Sequence, residues 1–186
     1  MISETDLQHA ARLFQSGGVF AYPTESVFGL GCDPQNESAV NRLLAMKQRP
    51  VSKGLILIAS RLQQLDNYID ISQAQARIIL DNLQPPVSWL VTPSSHCPKW
   101  ITGQHETLAI RITQHPVAKD LCEYIKQPLV STSANPAGQP PARTASEVKQ
   151  YFESSIDFIV PGETGTLDKP TEIRNLMTGE IIRQGQ

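Results

Sequence analysis

Leu55-Ile56-Leu57-Ile58 is a run of four consecutive apolar residues. Successive side chains of a strand point to opposite faces, so a strand with one wet face should alternate apolar and polar. A continuous run is expected of a strand buried on both faces. The chain on either side suits that reading. Upstream, Val40, Leu43, Leu44 and Met46 form a helical apolar stripe ending near Lys47, and Pro50 forbids its continuation. Earlier still, residues 19–22 read as a strand ended by Pro23. A helix opened by Ser3 or Asp6 and stopped by Gly17-Gly18 precedes it. Downstream, helical patterns cover residues 62–67, 73–83, 116–125 and 145–153, the third with a proline in its first turn. Strands are expected at 87–91, 108–112, 129–131 and 157–160, and a hairpin at 172–183 turning on Thr178-Gly179. Helices interleaved with short apolar strands predict an α/β fold, and the hairpin makes its sheet mixed. A length of 186 residues fits one domain, taken as 1–186.

Composition narrows the function. The net charge of -2 does not suit a general polyanion binder. The charge is unevenly spread, however. Between Ser38 and Leu65 there is no acid, yet Arg42, Lys47, Arg49, Lys53 and Arg61 fall there. Residues 125–145 also lack acids and carry Lys126 and Arg143. On charge alone a solvated face is the plainer reading, with a local anion site as the alternative. Cys32, Cys97 and Cys122 are scattered and form no CxxC pair, and His9, His96, His105 and His115 show no metal spacing. Neither a metal site nor a disulfide framework is expected. The first residues, Met-Ile-Ser-Glu-Thr-Asp, lack the basic and apolar regions of a signal peptide. No run approaches the roughly 20 apolar residues of a membrane helix. The expectation is a cytoplasmic protein without membrane contact.

Four segments carry groups suited to chemistry. Tyr22-Pro-Thr-Glu-Ser-Val-Phe-Gly-Leu-Gly31 places hydroxyls, a carboxylate and glycines just past a strand end, where ligands of open α/β sheets bind. A tight turn needing Gly29 and Gly31 for backbone reasons is the competing reading. Lys47-Gln-Arg49-Pro50, with Lys53 beyond, offers a point charge and a planar fork for phosphate. Cations also suit a helix C-terminus for purely structural reasons. Ser131-Thr-Ser133-Ala-Asn135 puts hydroxyls and an amide directly after a strand, more than one Ser/Thr turn requires. Arg111 lies inside the apolar run Leu108-Ala-Ile-Arg-Ile112 and must find an ion-pair partner or face a ligand. No nucleophile and base pair stands out. Catalysis by positioning and charge neutralisation is therefore expected.

Together these segments resemble the YrdC/TsaC family of L-threonylcarbamoyladenylate synthases. Pro23-Thr-Glu-Ser-Val-Phe-Gly-Leu-Gly31 is similar to that family's PTETVYGLG. Lys47, Arg49, Ser133 and Asn135 follow its KxR…SxN signature, and residues 131–140 its STSAN segment, with Ala137 in place of the usual Ser. Gly179-Glu-Ile-Ile-Arg-Gln-Gly185 resembles its terminal hairpin. The chain departs from the family at Phe28, which replaces a Tyr, at Lys53-Gly-Leu55 and at Leu83-Gln-Pro-Pro-Val-Ser88.

The resemblance implies a twisted mixed sheet flanked by helices, with a concave, positively lined cleft. It also implies that L-threonine, bicarbonate and ATP react to threonylcarbamoyl-AMP and pyrophosphate. Lys47 and Arg49 would be catalytic, and Lys47, Arg49, Lys53, Ser131, Ser133, Asn135 and Arg143 would bind ATP. Thr24, Ser26, Phe28 and Arg111 would face threonine or its carbamate. Mg2+ would accompany ATP. The product would pass to tRNA-modifying threonylcarbamoyl-transfer proteins, and a contact with tRNA itself is left open. The rival reading is a non-catalytic RNA-binding module using the same basic cleft.

Overall fold

The structure is a computed structural model that describes residues 2–185, so Met1 and Gln186 of the expected domain lie outside it. The described residues form six α-helices and nine strands. The strands are β1 (Phe20–Pro23), β2 (Phe28–Gly31), β3 (Ile56–Ala59), β4 (Val87–Val91), β5 (Leu108–Ile112), β6 (Leu129–Ser133), β7 (Phe158–Ile159), β8 (Glu172–Asn175) and β9 (Ile181–Arg183). They join in one mixed sheet of order β7-β1-β2-β6-β3-β5-β4-β8-β9. The apolar run 55–58 feeds the central strand β3. β3 pairs parallel with β5 and antiparallel with β6. Its Leu57 packs into one hydrophobic cluster and its neighbour Ile58 into the other, so both faces are covered.

One face carries α1 (Glu4–Ser16) and α5 (Pro116–Ile125), whose Ala10, Phe14, Val117, Ala118 and Leu121 pack with Phe20, Tyr22 and Ile58. The opposite cluster draws on α2 (Glu37–Met46), α3 (Gln73–Asp81), α4 (Lys99–Thr102) and α6 (Ala145–Phe152). Local chemistry sets the helix ends. Ser3 caps α1 by accepting from the Asp6 N–H, and Gly17 at φ 79° closes it. Ser72 and Thr144 open α3 and α6 with reciprocal capping boxes.

The sequence expectations need three amendments. Residues 62–67 form only a 3₁₀ turn, Leu62–Leu65. Residues 28–31 are a buried strand rather than a loop. Its glycines obscured it, yet at Gly31 they are required: a Cβ there would stand 2.6 Å from the Tyr22 ring and 2.8 Å from the Val130 carbonyl oxygen. The third is α4, which the sequence did not reveal.

Candidate active site

β1 and β2 are joined by Thr24-Glu25-Ser26-Val27, and this turn forms one wall of a cavity of about 460 Å³. The Thr24 N–H and hydroxyl both donate to the Val27 carbonyl, at 3.1 and 2.7 Å, which closes the turn. The Ser26 hydroxyl is buried and has no hydrogen-bond partner. Phe28 and the β6 hydroxyls of Ser131 and Ser133 continue the wall, as do Arg49, Lys53 and, from β5, Arg111. Arg183 of β9 and Thr171 close another side.

The cavity has a surplus of positive charge. Arg49, Lys53, Arg111 and Arg183 line it, against the single carboxylate of Glu25 among the described lining residues. Arg49 donates through Nη2 to the Gly54 and Lys53 carbonyls at 2.9 and 3.2 Å, while its Nε is buried without a partner. Arg111 donates from Nη1 to Thr171 Oγ1 at 3.0 Å, and its Nη2 lies 3.5 Å from Glu25 Oε2. Its Nε likewise has no partner. Burial alone would raise the Glu25 carboxyl, but Arg111 and the Thr113 hydroxyl outweigh it and hold the group below its ordinary value. Burial, with help from Arg111, lowers Arg183. Unpaired donors and hydroxyls around a cationic cavity suit a ligand rich in anionic oxygens.

Of the residues expected in the site, Thr24, Ser26, Phe28, Arg49, Lys53, Arg111, Ser131 and Ser133 line the cavity, whereas Lys47, Asn135 and Arg143 do not. Lys47 corrects an expectation. A lysine at a helix end ordinarily keeps part of its side chain in solvent, but this one is 4% exposed. Its Nζ donates to the carbonyl oxygens of Ser133 and Asn135 and to Asn135 Oδ1, and its own carbonyl accepts from the Ala137 N–H. The loop after β6 folds over it and takes it out of solvent. Burial, and then Arg49, push its ammonium down to about 8. Arg143 is exposed and donates to the Asp168 carbonyl at 2.6 Å.

The acid-free segment splits between roles. Arg42 pairs with Asp157 at 2.6 Å and Arg61 with Glu123 at 2.9 Å, so only Arg49 and Lys53 of that group reach the cavity. Thr171 and Arg183 lie outside the four segments that the sequence singles out for chemistry, while Glu25 is the carboxylate of the 22–31 segment, to which the sequence assigns no role. A signal existed for Arg183, which sits beside two isoleucines in a strand, as Arg111 sits in its own. The three cysteines are free and buried, and burial raises their thiols, Cys97 to about 11. Among the described residues no group of three or more His, Cys, Asp or Glu could hold a metal ion.

Comparison with known proteins places this arrangement. The Sua5/YciO/YrdC family model, described as "Telomere recombination", matches residues 12–185. A protein named threonylcarbamoyl-AMP synthase from Pseudomonas paraeruginosa is 48% identical over 184 residues, covering 98% of this chain and 99% of that protein. One of the same name from Cellvibrio japonicus is 50% identical over 178 residues, covering 95% and 94%. Among solved structures, P. abyssi Sua5 complexed with L-threonine superposes with a TM-score of 0.91 at 29% identity. The match covers all of this chain and 55% of that longer one. E. coli YciO gives a TM-score of 0.86 at 25% identity, covering 98% and 90%.

Proposed function

The chain belongs to the Sua5/YciO/YrdC family, and from that premise we infer that it is a threonylcarbamoyl-AMP synthase acting in tRNA N6-threonylcarbamoyladenosine formation. The observation that carries the reading is the near full-length match to proteins of that name, together with a cationic cavity lined by hydroxyls. The substrates are L-threonine, bicarbonate and ATP. The threonine amine forms a bond to the bicarbonate carbon, a C–O bond of bicarbonate breaks, and water leaves to give N-carboxy-threonine. A carboxylate oxygen of its new carbamate forms a bond to the ATP α-phosphorus, the bond to the β-phosphate bridging oxygen breaks, and pyrophosphate leaves. No protein nucleophile is needed; the chain's task is to align the two anions and offset their charge.

The residues divide by position. Thr24, Ser26, Phe28 and Arg111 form the threonine and carbamate side. Arg49 and Lys53, with the Ser131 and Ser133 hydroxyls, face the nucleotide phosphates. Lys47 and Asn135 act through the loop they hold rather than by contact. Arg143 lies outside the cavity, held by the Asp168 carbonyl. Mg2+ accompanying ATP would be carried by the substrate and would supply positive charge to its phosphates. Glu25, the one carboxylate among the described lining residues, is already engaged by Arg111 and Thr113, which fits a metal carried by the substrate.

Transfer from the mixed anhydride to tRNA falls to separate threonylcarbamoyl-transfer proteins. No helix among the described residues is long and apolar enough to cross a membrane, and we assign the enzyme to the cytoplasm. The test is pyrophosphate release with threonine, bicarbonate or ATP left out in turn. Release should stop in each case; equal turnover without threonine overturns the reading. Salt-sensitive RNA binding without any turnover would favour a binding module instead.

A further inference from the structure

A carboxylate is out of place in a cavity built for anions. Glu25 cancels one of the four cations that line the space, and its charge repels any carboxylate or phosphate that enters. Its surroundings show what it does instead. Oε1 accepts from the Thr113 hydroxyl at 2.7 Å and from the Gln114 N–H at 3.3 Å. Oε2 has no hydrogen bond and faces Arg111 Nη2 at 3.5 Å. One oxygen is thus a tether and the other is turned toward the guanidinium. The Glu25 backbone is fixed as well. The Leu167 N–H donates to its carbonyl at 3.2 Å, and Gly165 lies so close that a Cβ there would stand 2.5 Å from the same oxygen.

Arg111 is gripped from its other side by Thr171 Oγ1 at 3.0 Å, and Thr171 is anchored by the Ser88 hydroxyl at 3.0 Å. A guanidinium is a planar fork, so its value to a carboxylate depends on the angle of that plane. Held at two Nη atoms from opposite sides, it loses the rotamer freedom that binding would otherwise have to remove.

We propose that Glu25 is a positioning residue, whose carboxylate fixes the plane of the Arg111 guanidinium so that its free N–H groups meet the carboxylate of the amino-acid substrate. The proposal rests on the threonine reading of the Arg111 side of the cavity. It assigns Glu25 no contact with substrate and no proton transfer.

The experiment measures L-threonine binding by calorimetry and separate KM values for threonine and ATP. The unaltered protein is compared with Glu25→Gln, Arg111→Lys and the double variant. Glu25→Gln keeps the tethering oxygen and removes the charge. It should weaken threonine binding by about tenfold, within the range for directly coupled neighbours. The KM for ATP should stay unchanged, because the nucleotide side is left intact. A lysine ammonium has no plane to orient. In the Arg111→Lys background the same change should therefore cost less than about twofold. An equal loss in both backgrounds, an equal loss for ATP, or no loss at all overturns the proposal. Should Glu25→Gln fail to fold, Thr113→Val removes the tether and keeps the side-chain volume. It should reproduce the threonine-selective loss, and unchanged threonine affinity overturns the proposal. Absence of threonine binding by the unaltered protein would overturn the functional reading, and this proposal with it.

Discussion

Two buried cations flank the cavity and are put to opposite uses. Arg111 and Lys47 are 8% and 4% exposed. Arg111 stands in β5, meets a carboxylate and a hydroxyl, keeps an unpartnered Nε and lines the cavity. Lys47 follows α2 and gives its three N–H donors to three oxygens at the end of β6 and in the loop after it. The Ser133 hydroxyl, donating to Asn135 Oδ1 at 2.6 Å, ties the same loop together. One charge faces the cavity; the other is consumed in building the wall. Residue type does not separate the two uses, whereas donor accounting does.

The contrast can be broken most sharply at Arg111. Arg111→Ala should lower threonine-dependent pyrophosphate release by on the order of a hundred- to a thousandfold, as for loss of a fixed charge in a closed site. It also leaves Glu25 buried and unpaired, which should cost about 3–5 kcal/mol of stability. Adding Glu25→Gln should restore stability in urea titrations and leave turnover low. If turnover returned with stability, Arg111 would be a structural partner only.

Lys47→Met is the converse. Loss of a charged donor to buried carbonyls should cost about 2–3 kcal/mol. The KM for ATP should rise more than that for threonine, because Ser133 loses its support. Unchanged stability would show that the ammonium is not the staple. The pH dependence sharpens the same point. Lys47 is charged below about 8 and loses its proton above it, leaving two N–H groups for three acceptors. ATP-dependent turnover should therefore fall as the pH rises past about 8. In Lys47→Arg that falling limb should move to higher pH, read from the pH–rate profile. The smallest effect is expected at Arg143, whose pair with Asp168, at 3.7 Å, is exposed. Arg143→Ala should change stability by less than about 1 kcal/mol in a thermal melt.

These contrasts also mark what local sequence can reveal. β4, β5 and α5 fall where the pattern puts them, because each is a run of apolar or periodic residues with a sharp boundary. Arg111 was legible because a charge within an apolar strand is a local contradiction. β2 was not legible, since its glycines answer to the Tyr22 ring rather than to strand propensity. The exposure of Lys47 was misjudged because its cover arrives from 86 residues away. The role of Glu25 is illegible for the same reason: its tether, Thr113, lies 88 residues along the chain.

Those separations have a kinetic consequence. Arg111 and Thr171 are 60 residues apart, and the Lys47–Ser133 and Glu25–Thr113 contacts span 86 and 88. Such contacts are entropically costly to bring together and form after the local helices. During refolding, intrinsic fluorescence and helical signal should recover before a nucleotide can bind, and the cavity should be the last part of the molecule to acquire its shape.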